Sequence, residues 1–552
     1  MGDLAAMYFV PAGFETGGEK LMGRQVANAG LLKAIARSAG DEPIPCYVGE
    51  PAHGEAFDRL MRQAAPTATT TTILRHQLAR LQEPGCVFVP DPGLRDVARL
   101  RLSVGWRSFS LCGVTHTTAS RWALDQICDL VIEPMAPWDA LICTSRAVRD
   151  TTRLLIEERS EYLEWRLGAS RPWIPQLPLI PLGVDCDDMH SDPMEREAAR
   201  QELGIMADEI VFLFVGRLSF HAKANPLPML RALGAAATKG RKLRLIQCGW
   251  FATPAVRQLY EEAAAAFCPT VPVAYLDGRD ADTRRSAWAA ADVFTSLVDN
   301  IQETFGLTPI EAMASGLPVV VSDWDGYRDT VRHRTDGYRI RTTAPAPGSG
   351  QTIADAYADG RLNYDFYCGV SSQFAAVDLD DTITAYGRLA DDADLRRRMG
   401  AAGRIRAREA YDWSVIARQY RQLWAELAER RRADPAPERR APPRRYPTQL
   451  DPFTLFSSYP SRGLRGADSV ALREGESVAS LGPMIALRIV DSTRALGTTD
   501  EEARTILASL ETTRTRSVDQ IIGAFPEARR QYIRRGIVWL AKLGLVKISR
   551  PS

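Results

Sequence analysis

The chain lacks any imbalance of charge. Its 69 lysines and arginines meet 68 aspartates and glutamates, so no overall field draws it to nucleic acid or to an anionic membrane, and any anion site must be local. It also lacks a cysteine framework: the nine cysteines form no CxxC pair and no regular spacing. That argues against a zinc site and a disulfide scaffold and suits reduced thiols in a cytosol. No stretch reaches the ~18 apolar residues of a membrane span. The start, MGDLAAMYFVPAGF, has neither the basic region nor the long apolar run of a secretory signal. The expectation is a cytoplasmic protein, at most peripheral at the inner membrane face.

What is there is ordinary globular sequence, 552 residues with 45% hydrophobic and 25% charged, enough for roughly two to four domains. A short apolar run at Met7 to Val10 meets a loop, PAGFETGG, and then a helical pattern from Glu19 to Ser38 closed by Gly40. Strand-like runs come next at Cys86 to Val89, Ser108 to Val114, Ala140 to Cys143 and Leu177 to Pro181, with helical stretches at Ile73 to Leu81 and Ala147 to Leu167 between them. A second alternating series begins at Ile210, with strands IVFLFVG, KLRLIQCG, VAYLD, DVFTSL and LPVVVSD. Strands alternating with helices predict parallel, doubly wound sheets. The expected division is a first Rossmann-like domain over 1–185, joined by a crossing helix over 414–428, and a second over 186–413. Residues Ala344 to Gly360, rich in Gly, Pro and Ala, read as a surface excursion.

The remainder divides at a Pro/Arg-rich stretch, ERRRADPAPERRAPPRRYP, with too little apolar area to fold, so 429–450 reads as a solvated linker. Residues 451–552 read as an accessory α(+β) module. It holds helices over Ser517 to Phe525 and Arg529 to Leu543, the second with Tyr532, Ile533, Ile537 and Leu540 on one face, and a strand at Leu545 to Ile548. Helices followed by a terminal strand resemble a winged-helix unit.

The most informative stretch is QETFGLTPIEAMASGLPVVVSD, Gln302 to Asp323. Thr308 is an expected N-cap, Pro309 falls at N1 and Glu311 at N3, which completes a capping box. Gly316 stops the helix and Leu317 to Val321 is a buried strand. A helix beginning at the compact Phe305-Gly306-Leu307 turn presents free N–H groups and its positive dipole end to an open loop, where phosphate binds.

Glu303 and Glu311, with this sequence between them, resemble the paired-glutamate signature of the retaining GT-B glycosyltransferases, in particular family four. The resemblance implies two Rossmann-like domains with a facing cleft and sugar transfer from a nucleotide diphosphate with retained configuration, without metal or other cofactor. It implies that Glu303 approaches the transferred sugar, that Phe305, Gly306, Leu307 and Thr308 contact sugar and phosphate, and that Glu311 holds the ribose. FVGRLSFHAKANP, Phe214 to Pro226, resembles the family's strand followed by Gly-Arg and a lysine, which makes Arg217 and Lys223 the diphosphate cations; Ala224 stands where the family usually has glycine. Gly17 and Gly18 resemble its glycine turn, and His116, in GVTHTTAS, the histidine that reaches the hexose. Tyr411-Asp412-Trp413 and the helix beyond resemble the helix that crosses back to the first domain.

The implied partners are a UDP- or GDP-sugar donor and a glycan, lipid-linked or protein acceptor, as in polysaccharide biosynthesis. No nucleic acid is expected, and 451–552 can serve a protein partner. Asp323-Trp324-Asp325 spells a DxD, but no further carboxylates cluster near it in sequence to complete an oxygen-ligand site. A glycosidase is disfavoured because nothing beyond Glu303 and Glu311 suggests an acid and a nucleophile. The alternatives are a sugar-nucleotide epimerase of the same architecture and a non-catalytic nucleotide-sugar-binding protein acting through its last module.

Overall fold

The computed structural model describes residues 3–14, 23–169, 174–189, 192–434, 443, 445–491 and 497–550. Residues 1–446 and 447–552 form two separate compact units. The first contains two six-stranded sheets. In one, β1 (Ala6–Tyr8), β2 (Ile44–Val48), β3 (Thr70–Leu74), β4 (Cys86–Val89), β5 (Ser110–Val114) and β6 (Ala140–Ile142) lie in the order β3-β2-β1-β4-β5-β6. In the other, β7 (Ile210–Val215), β8 (Leu243–Gly249), β9 (Val273–Asp277), β10 (Val293–Ser296), β11 (Val319–Ser322) and β12 (Gly337–Ile340) lie in the order β12-β11-β10-β7-β8-β9. Every pairing within both sheets is parallel. Counted from its own first strand, each sheet has the doubly wound 3-2-1-4-5-6 order, with its chain reversal beside that first strand. These are the two Rossmann-like domains of a GT-B fold.

Central strands such as β7 and β10 are buried along nearly their whole length, as a parallel sheet covered on both faces requires. The crossing helix, Trp413–Ala433, leaves the second sheet's half and inserts Trp413, Ile416, Tyr420, Trp424 and Leu427 into the core of the first. Its starting point is fixed by backbone bonds from Val184 N–H to Tyr411 O (2.9 Å) and from Trp413 N–H to Val184 O (3.0 Å). The Trp413 ring fills the space where side chains at Gly30 and Gly183 would begin, 2.3 and 2.6 Å from their Cβ positions, so both must be glycine.

The structure departs from the sequence-based expectation in four places. Ile73 to Leu81 is not a helix: β3 runs to Leu74 and 3-10 turns continue over Arg75–Gln82. Leu177 to Pro181 makes only one isolated bridge, Leu179 to Cys143, next to that of Gln176 with Ala140, because Pro178 and Pro181 have no N–H to donate to a ladder. The crossing helix runs on to Ala433, into the stretch read as linker; Arg431 is buried there and its guanidinium donates to Gly85 O and Ser110 Oγ. The excursion after Ala344 is partly helical, with Gln351–Ala358 and Tyr364–Ser372 between the short antiparallel pair β13 (Thr342–Thr343) and β14 (Ala376–Val377).

The second unit carries an antiparallel sheet, order β16-β15-β17, built of β15 (Ser469–Leu472), β16 (Thr515–Ser517) and β17 (Val546–Ser549). Helices Asp500–Thr513, Val518–Gly523 and Arg530–Lys542 share its core, which includes Val470, Ile506, Leu510, Ile521, Ile533, Ile537 and Leu540. Two capping boxes start the first two helices, Thr499 with Glu502 and Ser517 with Gln520. Tyr532 stays out of the core, under the guanidinium groups of Arg529 and Arg535.

Candidate active site

In an open α/β sheet the ligand crevice lies at the carboxyl ends of the strands beside the chain reversal. In the second sheet those strands are β7 and β10, and the loops that leave them carry Arg217 with Lys223 and Glu303. The two loops are bonded to each other, and the second is also braced internally. Arg217 donates to Gln302 Oε1 (2.9 Å), Asn300 Nδ2 to His221 O (2.9 Å) and Gln302 N–H to Asn300 Oδ1 (2.9 Å). Asn225 N–H reaches the buried Asp299, whose carboxyl desolvation pushes up to about 7.

Lys223 Nζ makes an ion pair with Glu303, both side chains largely but not wholly withdrawn from solvent. Burial works against the charge on Glu303, but the Lys223 ammonium and the backbone N–H groups of Phe305 and Thr304 outweigh it and hold the carboxyl below its usual range. Burial likewise opposes the charge on Lys223, and Glu303 reverses the effect and raises its pKa. The pair therefore stays doubly charged in the loops that precede the next helix.

That helix is Leu307–Ala314, with Gly306 at its N-cap in the left-handed region (φ 81°). The expected capping box does not form, and no side chain caps the helix. It begins one residue before Thr308, so Pro309 is its third residue, still in the first turn where a missing N–H has no intrahelical acceptor to leave empty. The cause lies in the packing of the turn. Phe305 is buried, and a Cβ at Gly306 would stand 1.9 Å from Tyr327 Cε1, so the left-handed glycine sets where the helix starts. Without a capping side chain, the first-turn amides keep no internal acceptor. Gly316, also left-handed (φ 79°), ends the helix as expected. Burial raises the Glu311 carboxyl, opposed by Arg284 and Lys223, which places it near the same cation.

His116 comes after β5 of the first sheet and touches the second domain: its carbonyl accepts from Thr304 Oγ1 (3.0 Å). Its ring Nε2 lies 3.0 Å from Asn28 Oδ1, and Asn28 Nδ2 donates to Gly13 O (3.3 Å). Burial and the Arg24 charge lower its pKa to about 3, so the imidazole is neutral at physiological pH. Gly17 and Gly18 lie outside the described residues. Arg217, Lys223, Glu303, Phe305, Gly306, Leu307, Thr308 and Glu311 thus gather at one strand-end crevice, with His116 arriving from the other domain.

Sequence reasoning missed Gln302, Asn300 and Asn28, which position the predicted residues; nothing in a polar loop marks such roles. It read Asp325 only as half of a DxD and as the start of a loop, through Asp329, that the resemblance puts near the sugar or acceptor. Asp325 is held at φ 37° and accepts from Ser145 Oγ of the first domain (2.8 Å), while Asp323 lies 3.4 Å from Arg339. Burial, opposed by the Ser145 hydrogen bond and aided by Glu303, pushes the Asp325 carboxyl up to about 7. Among the described residues no group of three or more His, Cys, Asp or Glu could hold a metal ion, and no helix is long and apolar enough to cross a membrane.

Comparison with known proteins finds a family match within the second domain. Residues 195–359 match the family described as Glycosyl transferases group 1. A D-inositol 3-phosphate glycosyltransferase of Geodermatophilus obscurus is 33% identical over 174 residues, 30% of this chain and 37% of that protein. The Nocardia farcinica protein of the same name is 26% identical over 298 residues, 52% of this chain and 62% of that protein. The chain thus spans 37% and 62% of the length of these relatives. Among solved structures, Anabaena HepE in complex with UDP and glucose aligns with 77% of this chain and 100% of its own, at 15% identity and a TM-score of 0.47.

Proposed function

We propose that the whole chain is a retaining, metal-independent glycosyltransferase that moves a hexose-type sugar from a UDP- or GDP-sugar to an acceptor hydroxyl, a reading supported by the match of residues 195–359 to Glycosyl transferases group 1. One observation carries the reading: Arg217, Lys223 and Glu303 converge from the ends of β7 and β10 on the uncapped amide end of the Leu307–Ala314 helix. Two cations and the first-turn amides of Leu307 and Thr308 suit a diphosphate, and the Glu303 carboxylate beside them suits the sugar attached to it.

As the glycosidic bond breaks, negative charge grows on the leaving phosphate. Arg217 and Lys223 stabilise that state more than the bound donor, which is what raises turnover rather than mere affinity. In the free protein Lys223 is neutralised by Glu303; the incoming diphosphate shares that cation and frees the carboxylate to face the sugar. Glu311 holds the ribose. His116, neutral and supported by Asn28, offers the hexose a hydrogen bond without adding charge. The first domain excludes water around the reacting carbon, and the acceptor attacks from the face the diphosphate leaves, which retains configuration. The acceptor is a hydroxyl of a glycan, a lipid-linked sugar or a protein, and the relatives' name adds inositol 3-phosphate to the acceptors to be tested.

The test is mass spectrometry of products from a panel of UDP-, GDP- and ADP-sugars, with cell extract or inositol 3-phosphate as acceptor. A new glycoside, with slow donor hydrolysis when no acceptor is present, is the expected result; neither transfer nor hydrolysis from any donor would remove the enzyme assignment.

A further inference from the structure

The segment between β13 and β14 takes no part in the chemistry above, yet it touches both domains. Its two ends are pinned together by the pairings of Thr342 with Val377 and Thr343 with Ala376, so residues 344–375 form an arm on a closed base. The first helix of the arm, Gln351–Ala358, buries none of its residues. Gly348 (φ 90°) and Gly360 (φ 86°) flank it with open space around them. An arm without a core of its own stays in place only by what grips it.

The grip comes from the first domain. The Arg121 N–H donates to the Tyr357 hydroxyl (3.0 Å), and its guanidinium donates to Tyr357 O and to Ala358 O (3.3 Å), carbonyls at the end of the arm's first helix. The same guanidinium stands 5.1 Å from the Tyr357 ring centroid, and that ring stacks on Tyr367 at 4.2 Å and 8°. Arginine, Tyr357 and Tyr367 make a clasp that locks the arm's two helices together and onto the other domain.

The inner helix of the arm, Tyr364–Ser372, reaches the site. The Tyr364 hydroxyl lies among the side chains of Thr117, Cys368 and Gln302, and Gln302 Oε1 is the acceptor for Arg217. Gly369 lies against His221, whose Cβ would stand 2.9 Å from a side chain there, and His221 is in the loop that carries Lys223. The arm thus bridges the Thr117 end of the first domain and both loops of the diphosphate site.

We propose that residues 344–375 are a lid over the diphosphate end of the site, fastened by the Arg121–Tyr357–Tyr367 clasp, and that its closure positions Arg217 through Tyr364 and Gln302. The lid's role at the diphosphate rests on the function proposed above; the clasp itself does not. Opening the clasp lets nucleotide in and out, and closing it holds Arg217 on its acceptor.

Hydrogen exchange of the full chain read by mass spectrometry tests the clasp, and the UDP dissociation rate tests the lid. Arg121 is exposed, so Arg121→Ala leaves folding intact. Loss of one cation–π contact and the carbonyl bonds should raise exchange over 351–372 about tenfold, with 210–215 unchanged and Arg121→Lys intermediate. UDP dissociation should quicken by a similar factor. Unchanged exchange would overturn the clasp. Raised exchange with unaltered UDP dissociation would overturn the lid. If wild type binds no UDP, GDP or ADP, the proposed function fails, and the lid's role at the diphosphate fails with it, while exchange alone decides the clasp.

Discussion

The two sheets of the first unit share one strand order and differ in the loops that leave their central strands. Beyond β7 and β10 the chain places an arginine, a lysine, a glutamate and an uncapped helix end. At the matching side of the first sheet, the described residues offer a neutral histidine on an asparagine, with the Arg24 charge near it and the buried Asp91 carboxyl after β4. The same architecture therefore carries different loop chemistry in its two halves, two cations and a glutamate beside a bare helix end in one and a neutral histidine near Arg24 and Asp91 in the other. Strand order fixes where a ligand can sit, and only the loop residues decide what it is.

Breaking the structural side of this comparison should have the largest effect. Trp424 follows the second domain in the chain and is buried in the first domain's core, as the crossing helix over 414–428 implied. Trp424→Ala should cost about 3–5 kcal/mol, read as a lower denaturation midpoint. An unchanged midpoint would mean that the crossing helix is not part of the first domain's stability.

Next come the cations. Lys223→Ala should lower kcat/KM by roughly tenfold to a hundredfold, the worth of one charge-assisted hydrogen bond of about 1.5–3 kcal/mol. Arg217→Ala should do the same, whereas Arg24→Ala, in the first domain, should leave the rate nearly unaltered. Equal losses from all three would erase the contrast between the halves. Glu311→Ala should weaken nucleotide binding by about tenfold in calorimetry, with the denaturation midpoint kept; an unchanged Kd would remove its ribose role.

The smallest effect lies in pH. His116 has a folded pKa lowered to about 3 by burial and the Arg24 charge, against about 6.5 in an unfolded chain. The unfolded state binds more protons between these values, so the stability this group contributes is fully present above about pH 6.5 and is lost as pH falls toward about 3. Proton NMR should show one histidine ring that does not titrate between about pH 8 and 4, and His116→Asn should flatten the acid decline of stability. All six histidines titrating near the ordinary value of about 6.5 would contradict the environment described for His116.

Much of the second domain is legible in its sequence because buried parallel strands are uninterrupted apolar runs: IVFLFV and VVVS stand out against their flanks. The first domain hides more. β3 is an edge strand of threonines with only Ile73 buried, and Leu74, Leu78 and Leu81 share a helical spacing that a strand followed by 3-10 turns also accommodates. The capping box failed because it requires Thr308 at the N-cap, whereas the helix starts two residues earlier, with Gly306 at the N-cap under the ring of Tyr327, which comes from beyond the next strand. The candidate residues came from the resemblance of their motifs to a known family, while the residues that orient them carried no such mark, since Gln302, Asn28 and Ser145 act through contacts that only folding creates.

The most direct test is hydrogen exchange of the full chain with and without UDP, GDP or ADP. One of these nucleotides should slow exchange over 302–311 and 216–223, leaving 86–91 of the first domain little changed. Protection confined to the first domain, or none with any nucleotide, would contradict a donor site built on the strand ends of the second sheet.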